Sequence, residues 1–183
     1  MNHNHIKVSK FLSLVLRHQP DIIGMEFEPG GWLDIDQLIE NANQRGRQLD
    51  RKLLLDVVAT NDKKRFAISE DGAKIRASQG HSVSTVELGM TPTAPPEQLF
   101  HGTVKKFLTS IQEEGLSKQN RNHVHLSADQ LTAEKVGQRR GHPIILLVNS
   151  GQMHRDGWPF FLSENNVWLT DTVPVKYLTF PDA

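Results

Sequence analysis

Between Met90 and Thr103 the chain reads Met90-Thr91-Pro92-Thr93-Ala94-Pro95-Pro96-Glu97-Gln98-Leu99-Phe100-His101-Gly102-Thr103, with Pro92, Pro95 and Pro96 close together. Proline fixes φ and has no N–H to give, so neither a helix nor a central strand runs through such a segment. A stiff, extended linker is expected over 91–97, dividing the chain into a lobe at 1–90 and a lobe at 98–183. The 183 residues suffice for one large core or two small ones, and the proline cluster favours two.

In the first lobe, Ser9 can cap a helix that presents Phe11, Leu12, Val15 and Leu16 on one face and ends in Leu16-Arg17-His18 before Pro20. Asp34-Ile35-Asp36-Gln37 resembles a capping box opening a helix with Leu38, Ile39 and Ala42, and Asp50 would cap another that buries Leu53, Leu54, Val57 and Val58. Turn signals at Asn61-Asp62 and Asp71-Gly72 flank Phe66, Ile68 and Ile75, which predicts a hairpin. Short helices followed by a hairpin make a winged-helix-like lobe. Behind the hairpin stand Arg76 and the stretch Gln79-Gly80-His81-Ser82, able to turn side chains and bare backbone toward an anion. Each piece has an ordinary reading as well. An Arg-His pair at a helix end complements the helix dipole, and Gln-Gly-His-Ser is a common turn composition.

The second lobe is read as a small α+β domain. Leu99-Phe100-His101 is expected as a strand, Val104 to Glu114 as a helix closed by Gly115, and His123-Val124-His125-Leu126-Ser127 as a half-buried strand. Ser127-Ala128-Asp129-Gln130 looks like a capping box for a helix reaching Gln138-Arg139-Arg140-Gly141. The apolar run Ile144 to Val148 predicts the central strand, Gly151 to Gly157 a loop, and Pro159 to Leu162, Val167 to Leu169 and Val175 to Phe180 the remaining strands. His101, His123, His125 and Asn166 would then gather near strand ends. Histidines on neighbouring strands raise a zinc reading, but their spacing matches no local motif and no cysteine is present, so no metal is expected. Hydrogen-bonded structural histidines are the plain alternative.

Composition narrows the partners. With 21 basic and 21 acidic residues there is no global field to hold a polyanion, which must be met locally. The absence of cysteine excludes disulfides and thiolate catalysis. Met1-Asn2-His3-Asn4-His5 lacks the features of a signal peptide and no apolar run reaches membrane-span length, so a soluble cytoplasmic protein without membrane contact is expected, with a two-lobe monomer as the default.

The ordered set Leu16-Arg17-His18, Arg76 with Gln79-Gly80-His81-Ser82, His101-Gly102-Thr103, His123 to Ser127, Gly137-Gln138-Arg139 and Asn166-Val167-Trp168-Leu169 closely resembles the NAD-dependent RNA 2'-phosphotransferases, the tRNA-splicing phosphotransferase family and its bacterial relatives. The resemblance runs from about Lys7 to Phe180. It implies a winged-helix-like RNA lobe joined to an ADP-ribosyltransferase-like, mixed β NAD lobe. It further implies transfer of an internal RNA 2'-phosphate to NAD+ as co-substrate. The products would be 2'-OH RNA, ADP-ribose 1'',2''-cyclic phosphate and nicotinamide, reached through a 2'-phospho-ADP-ribosylated RNA intermediate.

By resemblance, Arg17, His18, Arg76 and Arg139 are the catalytic set and, with His81 and Ser82, would hold the RNA phosphate. His101, Gly102, Thr103, His125, Ser127, Asn166 and Val167 would hold the dinucleotide. The superfamily's His-Tyr-Glu markers correspond here to His101, His125 and Val167, and lack of the glutamate disfavours protein ADP-ribosylation. Arg140 is open between a neighbouring contact and a solvated charge. Two other functions compete: ADP-ribosylation of nucleic-acid terminal phosphates, and a non-enzymatic winged-helix binder.

Overall fold

The computed structural model describes residues 3–83 and 89–181, which fall into two compact units, Met1–Gly89 and Met90–Ala183. Each has its own apolar core.

The first unit opens with α1 (His3–Val15), followed after a short helical turn at Pro20–Ile23 by β1 (Leu33–Asp34), α2 (Ile35–Gln44) and α3 (Arg51–Ala59). Strands β2 (Phe66–Ile68) and β3 (Lys74–Ala77) complete it. Cap chemistry sets the second and third helices. Asp34 accepts from the Gln37 backbone N–H at 2.8 Å and Asp50 from that of Leu53 at 2.7 Å, each satisfying an orphan donor of the first turn. Ser9 does not cap α1. The helix begins six residues earlier, and Ser9 is a buried interior residue whose hydroxyl accepts from Asn61 at 3.4 Å.

Leu12 and Val15 of α1, and Leu16 just after it, are closed to solvent together with Leu38, Leu54, Val57 and Ile75. Leu53 and Val58, expected inside, are only partly buried. The sheet has order β1-β3-β2, antiparallel throughout, with Ile75 of the central strand opposite both Leu33 and Ile68. This register leaves Arg76 on the face opposite the Ile75 side chain.

The second unit runs β4 (Leu99–Val104), α4 (Leu108–Glu114), β5 (Leu116–Ser117), β6 (Val124–Leu126), α5 (Gln130–Gly137), β7 (Pro143–Val148), α6 (Ser150–Arg155), β8 (Phe161–Leu162), β9 (Trp168–Thr170), β10 (Thr172–Val173) and β11 (Leu178–Thr179). Its sheets have orders β11-β7-β4, β6-β9-β8 and β10-β5. Every strand pairing among the described residues is antiparallel, so the lobe expected to hold a mixed sheet holds antiparallel ones. The whole is α+β. As the apolar run predicts, β7 is central in its sheet, and α5 packs on β4 and β7.

Several local expectations change. β4 continues through Gly102 to Val104, so the helix expected from Val104 starts only at Leu108, after a helical turn at Lys105–Phe107. Asp129 rather than Ser127 caps α5, accepting from the Thr132 N–H and hydroxyl, both at 2.8 Å. The expected loop at 151–157 begins as α6, whose second residue, Gly151, lies against the Glu97 carboxylate. The strand expected from Val175 starts at Leu178, because 175–177 forms a helical turn.

The proline-rich segment is held by the second unit. Thr93 donates its N–H to the Phe160 carbonyl at 2.8 Å, and Ser150 donates to the Pro96 carbonyl at 2.7 Å. Gly151 donates to the Glu97 carbonyl at 3.1 Å. No helix among the described residues is long and apolar enough to cross a membrane.

Candidate functional site

In the first unit the chain turns out of α1 at Leu16, and that turn meets the segment after β3. The Ser82 N–H donates to the Arg17 carbonyl at 2.9 Å, and His18 Nδ1 lies 2.9 Å from Ser82 Oγ. Gly80 has φ +87°, a left-handed conformation suited to glycine, and the Arg17 side chain lies against it. Arg76 is anchored from the other side: its guanidinium carbon is 4.5 Å from the Trp32 ring centroid, and it donates to the Gly30 carbonyl at 3.5 Å. His81 is 2% exposed, with its ring edge-on to Phe27 at 5.8 Å and its Nε2 buried without a hydrogen-bond partner. Five of the anticipated residues, Arg17, His18, Arg76, His81 and Ser82, therefore share one neighbourhood.

Electrostatics there run one way. Burial first, then the charges of Arg17, His18 and Arg76, lower His81 from the usual 6.5 to about 4, against a smaller opposing effect of the Leu16 backbone. His81 is consequently neutral at pH 7. Because its folded pKa lies below the unfolded value, the unfolded chain binds the extra proton between pH 6.5 and about 4, and stability falls as acid is added through that window. The expected contribution is about 3 kcal/mol lost by pH 4. Urea midpoints followed over that range should slope less steeply in His81→Asn than in the unmodified protein. Identical slopes would show that His81 does not titrate this way.

In the second unit, a pair of hydrogen bonds at 2.9 and 2.8 Å between Phe100 and Ser127 joins β4 to the end of β6. That bridge brings His101 beside His125, with His101 Nδ1 3.1 Å from the His125 carbonyl. A carbonyl only accepts, so Nδ1 carries the proton and Nε2 of His101 is an acceptor. Burial, chiefly, lowers the His101 pKa, aided by Arg140 and Arg121 and opposed by its bond to His125. Burial, with the two arginines, favours the neutral ring. Thr103 is buried further along the same strand.

Gly102 sits under α5. A Cβ there would overlap the Ala133 carbonyl, so this position answers first to helix-on-strand packing. Asn166 has φ +59° and donates its N–H to the Ser163 carbonyl at 2.9 Å, which makes it the left-handed residue of the β8–β9 turn. The register Leu126↔Trp168, carried one residue on, sets Val167 opposite Ser127. Arg139 and Arg140 occupy the exposed helical turn after α5, where Arg140 lies 5.7 Å from the Phe107 ring centroid. His123 lies edge-on to Phe161 at 5.8 Å between ring centroids, and burial lowers its pKa. Among the described residues, no group of three or more His, Cys, Asp or Glu is placed to hold a metal ion.

The sequence reading missed Trp32 and Phe27, the aromatic supports of Arg76 and His81, and Arg121, whose guanidinium is 3.3 Å from His125 Nδ1. Only Arg121 had a signal, a charge two residues ahead of the His-Val-His stretch.

The family model for the RNA 2'-phosphotransferase, Tpt1 / KptA family matches residues 3–172. A protein of Rhodopirellula baltica named "Probable RNA 2'-phosphotransferase" is 61% identical over 176 residues, covering 96% of both chains. One of the same name from Flavobacterium johnsoniae is 61% identical over 181 residues, covering 98% of this chain and 99% of its own. Another, from Escherichia coli, is 52% identical over 173 residues, 94% and 89% of the respective chains. The chain belongs to the RNA 2'-phosphotransferase family.

Proposed function

We propose that this chain transfers an internal RNA 2'-phosphate to NAD+, the first unit acting as a winged-helix-like RNA lobe and the second as an ADP-ribosyltransferase-like dinucleotide lobe. The observation that carries the reading is the crowding of Arg17, His18 and Arg76 around neutral His81, each of the three pushing its pKa down. Cations gathered around a buried imidazole repel one another, a cost that a bound anion offsets. Arginine suits a phosphate monoester, since its planar fork gives parallel charge-assisted bonds.

The chemistry asks little of a strong base. Nicotinamide leaves as a neutral molecule when the 2'-phosphate attacks the ribose C1'', so that step depends on alignment and on stabilising an oxocarbenium-like transition state. His101, with its Nε2 lone pair, suits a ribose hydroxyl. In the second step the ribose 2''-hydroxyl attacks the phosphorus and the RNA leaves. Charge then builds on phosphoryl oxygens, which guanidinium groups stabilise; Arg17 and Arg76 are the candidates in the first unit and Arg139 the candidate in the second. His18, held by Ser82, is the residue to move a proton.

Nicotinamide release should require both NAD+ and a 2'-phosphorylated oligonucleotide, and the RNA product should carry a free 2'-hydroxyl. Equal release with an unphosphorylated strand, or turnover confined to a 5'-phosphorylated one, would overturn the proposal.

A further inference from the structure

The basic run Lys63-Lys64-Arg65, just ahead of β2, has no task in the reading above. Its turn is built around Asn61, which is 4% exposed. The Asn61 backbone carbonyl accepts from the Lys64 N–H at 2.8 Å, and its side-chain oxygen accepts from the Lys63 N–H at 3.2 Å and from Arg65 Nη1 at 3.5 Å. Lys64 is held there at φ +41°, the left-handed region that a residue with a Cβ enters at a cost. Three successive cations also repel one another. A turn that only joined α3 to β2 would be met more cheaply by glycine or asparagine at this position.

Hydrogen bonds tie the run to the candidate site of the first unit. Ser78, itself buried, donates its N–H to the Arg65 carbonyl at 2.9 Å and its hydroxyl to the Lys64 carbonyl at 2.8 Å. The first of these bonds carries the β2–β3 ladder one pair beyond Phe66↔Ala77 and sets Arg65 opposite Ser78. Alternation along each chain then puts Arg65 and Ala67 on the face of Arg76, which is the partner of Ala67. Arg65 and Arg76 become diagonal cross-strand neighbours, a step of about 7 Å. That step is comparable with the distance between successive phosphates of an extended nucleic-acid strand. Two residues past Ser78, a Cβ on Gly80 would stand 3.7 Å from Arg17 Nη1, so the same loop reaches the other arginine. Among the described residues no carboxylate is ion-paired with Lys64.

We propose that Lys64 and Arg65 hold a phosphodiester of the RNA strand beside the nucleotide whose 2'-phosphate meets Arg76. The ligand is one polyanionic strand gripped by its backbone, with no reading of the bases. A nucleoside 2'-phosphate has no such neighbour and leaves the position unfilled, so this turn lets the protein tell a strand from a mononucleotide. The inference rests on the proposed function only for where the 2'-phosphate sits.

The test is binding, by the full chain, of a single-stranded 2'-phosphorylated oligonucleotide, of the same strand without its 2'-phosphate and of a nucleoside 2'-phosphate, with Lys64→Asn and Lys64→Arg beside the unmodified protein. Asparagine accepts the left-handed conformation, so Lys64→Asn removes the charge and keeps the turn. It should bind both strands about fivefold more weakly at low salt, and the slope of log affinity against log salt should flatten by about 0.7, the share of one phosphate contact on a single strand. Lys64→Arg should restore both. The nucleoside 2'-phosphate should bind all three proteins alike.

Strand affinity within twofold in Lys64→Asn, with an unchanged salt slope, overturns the contact; so does an equal loss for the nucleoside 2'-phosphate. Either result leaves the proposed function standing. Should nicotinamide release ignore the 2'-phosphate, that function fails, and the effect of Lys64→Asn on the strand lacking a 2'-phosphate still decides the contact.

Discussion

Arg139→Ala is expected to melt like the unmodified protein and to remove 2'-phosphate on the order of 100-fold more slowly. The two halves of this result have separate causes. Arg139 stands exposed on a one-turn helix after α5, where it has no ion pair among the described residues and contributes nothing to the second core. Its loss leaves no cavity and no stranded partner. In the reaction, a fixed cation beside a phosphorus that accumulates charge acts mainly in the transition state, so its deletion should lower kcat more than it raises KM. Single-turnover assays on a 2'-phosphorylated oligonucleotide with saturating NAD+ measure the effect. Turnover within twofold of the unmodified protein would remove Arg139 from the proposed catalytic set.

Gly102→Ala should behave in the opposite way, damaging the fold before the chemistry. The added methyl would collide with the backbone carbonyl of Ala133, and its next neighbour is the backbone N of Gly137. Neither is the tip of a flexible side chain that can swing aside. α5 must lift from β4, and with it the turn that carries Arg139 and Arg140. Overpacking of this kind costs about 1–3 kcal/mol and more where backbone must shift. A markedly lowered denaturation midpoint is expected, together with weakened dinucleotide binding. A Gly102→Ala protein with unaltered midpoint would mean that α5 rides on β4 less tightly than this contact indicates.

The same glycine shows why the sequence was legible in some places and opaque in others. Asp34 and Asp50 announced α2 and α3 because the cap and the apolar spacing behind it are both local, and local physics is what a sequence displays. His101-Gly102-Thr103 looked like the end of a strand since glycine usually interrupts one. Here β4 passes through it because a helix distant in the chain needs the space. Gly151 misled differently: it reads as a loop residue but is the second residue of α6 and donates its N–H to the Glu97 carbonyl. The two-residue strands β1, β5 and β10 are too short to show a period.

Ser9 illustrates the converse. It is a good cap residue, but α1 had already begun, and Asn61 meets its hydroxyl inside the unit. For the site, residue order nominated candidates, of which Arg17, His18, Arg76, His81 and Ser82 come together in the first unit, whereas Trp32 under Arg76 is a consequence of folding that no spacing encodes.

The ring of Trp32 gives Arg76 a property beyond its charge. A free arginine side chain surrenders about 2 kcal/mol of rotational freedom when a ligand immobilises it. Stacked on indole and tethered to the Gly30 carbonyl, Arg76 has surrendered much of that during folding. If Arg76 receives a phosphate as proposed, Trp32 would favour capture of an anion by making the hand that grips it stiff beforehand.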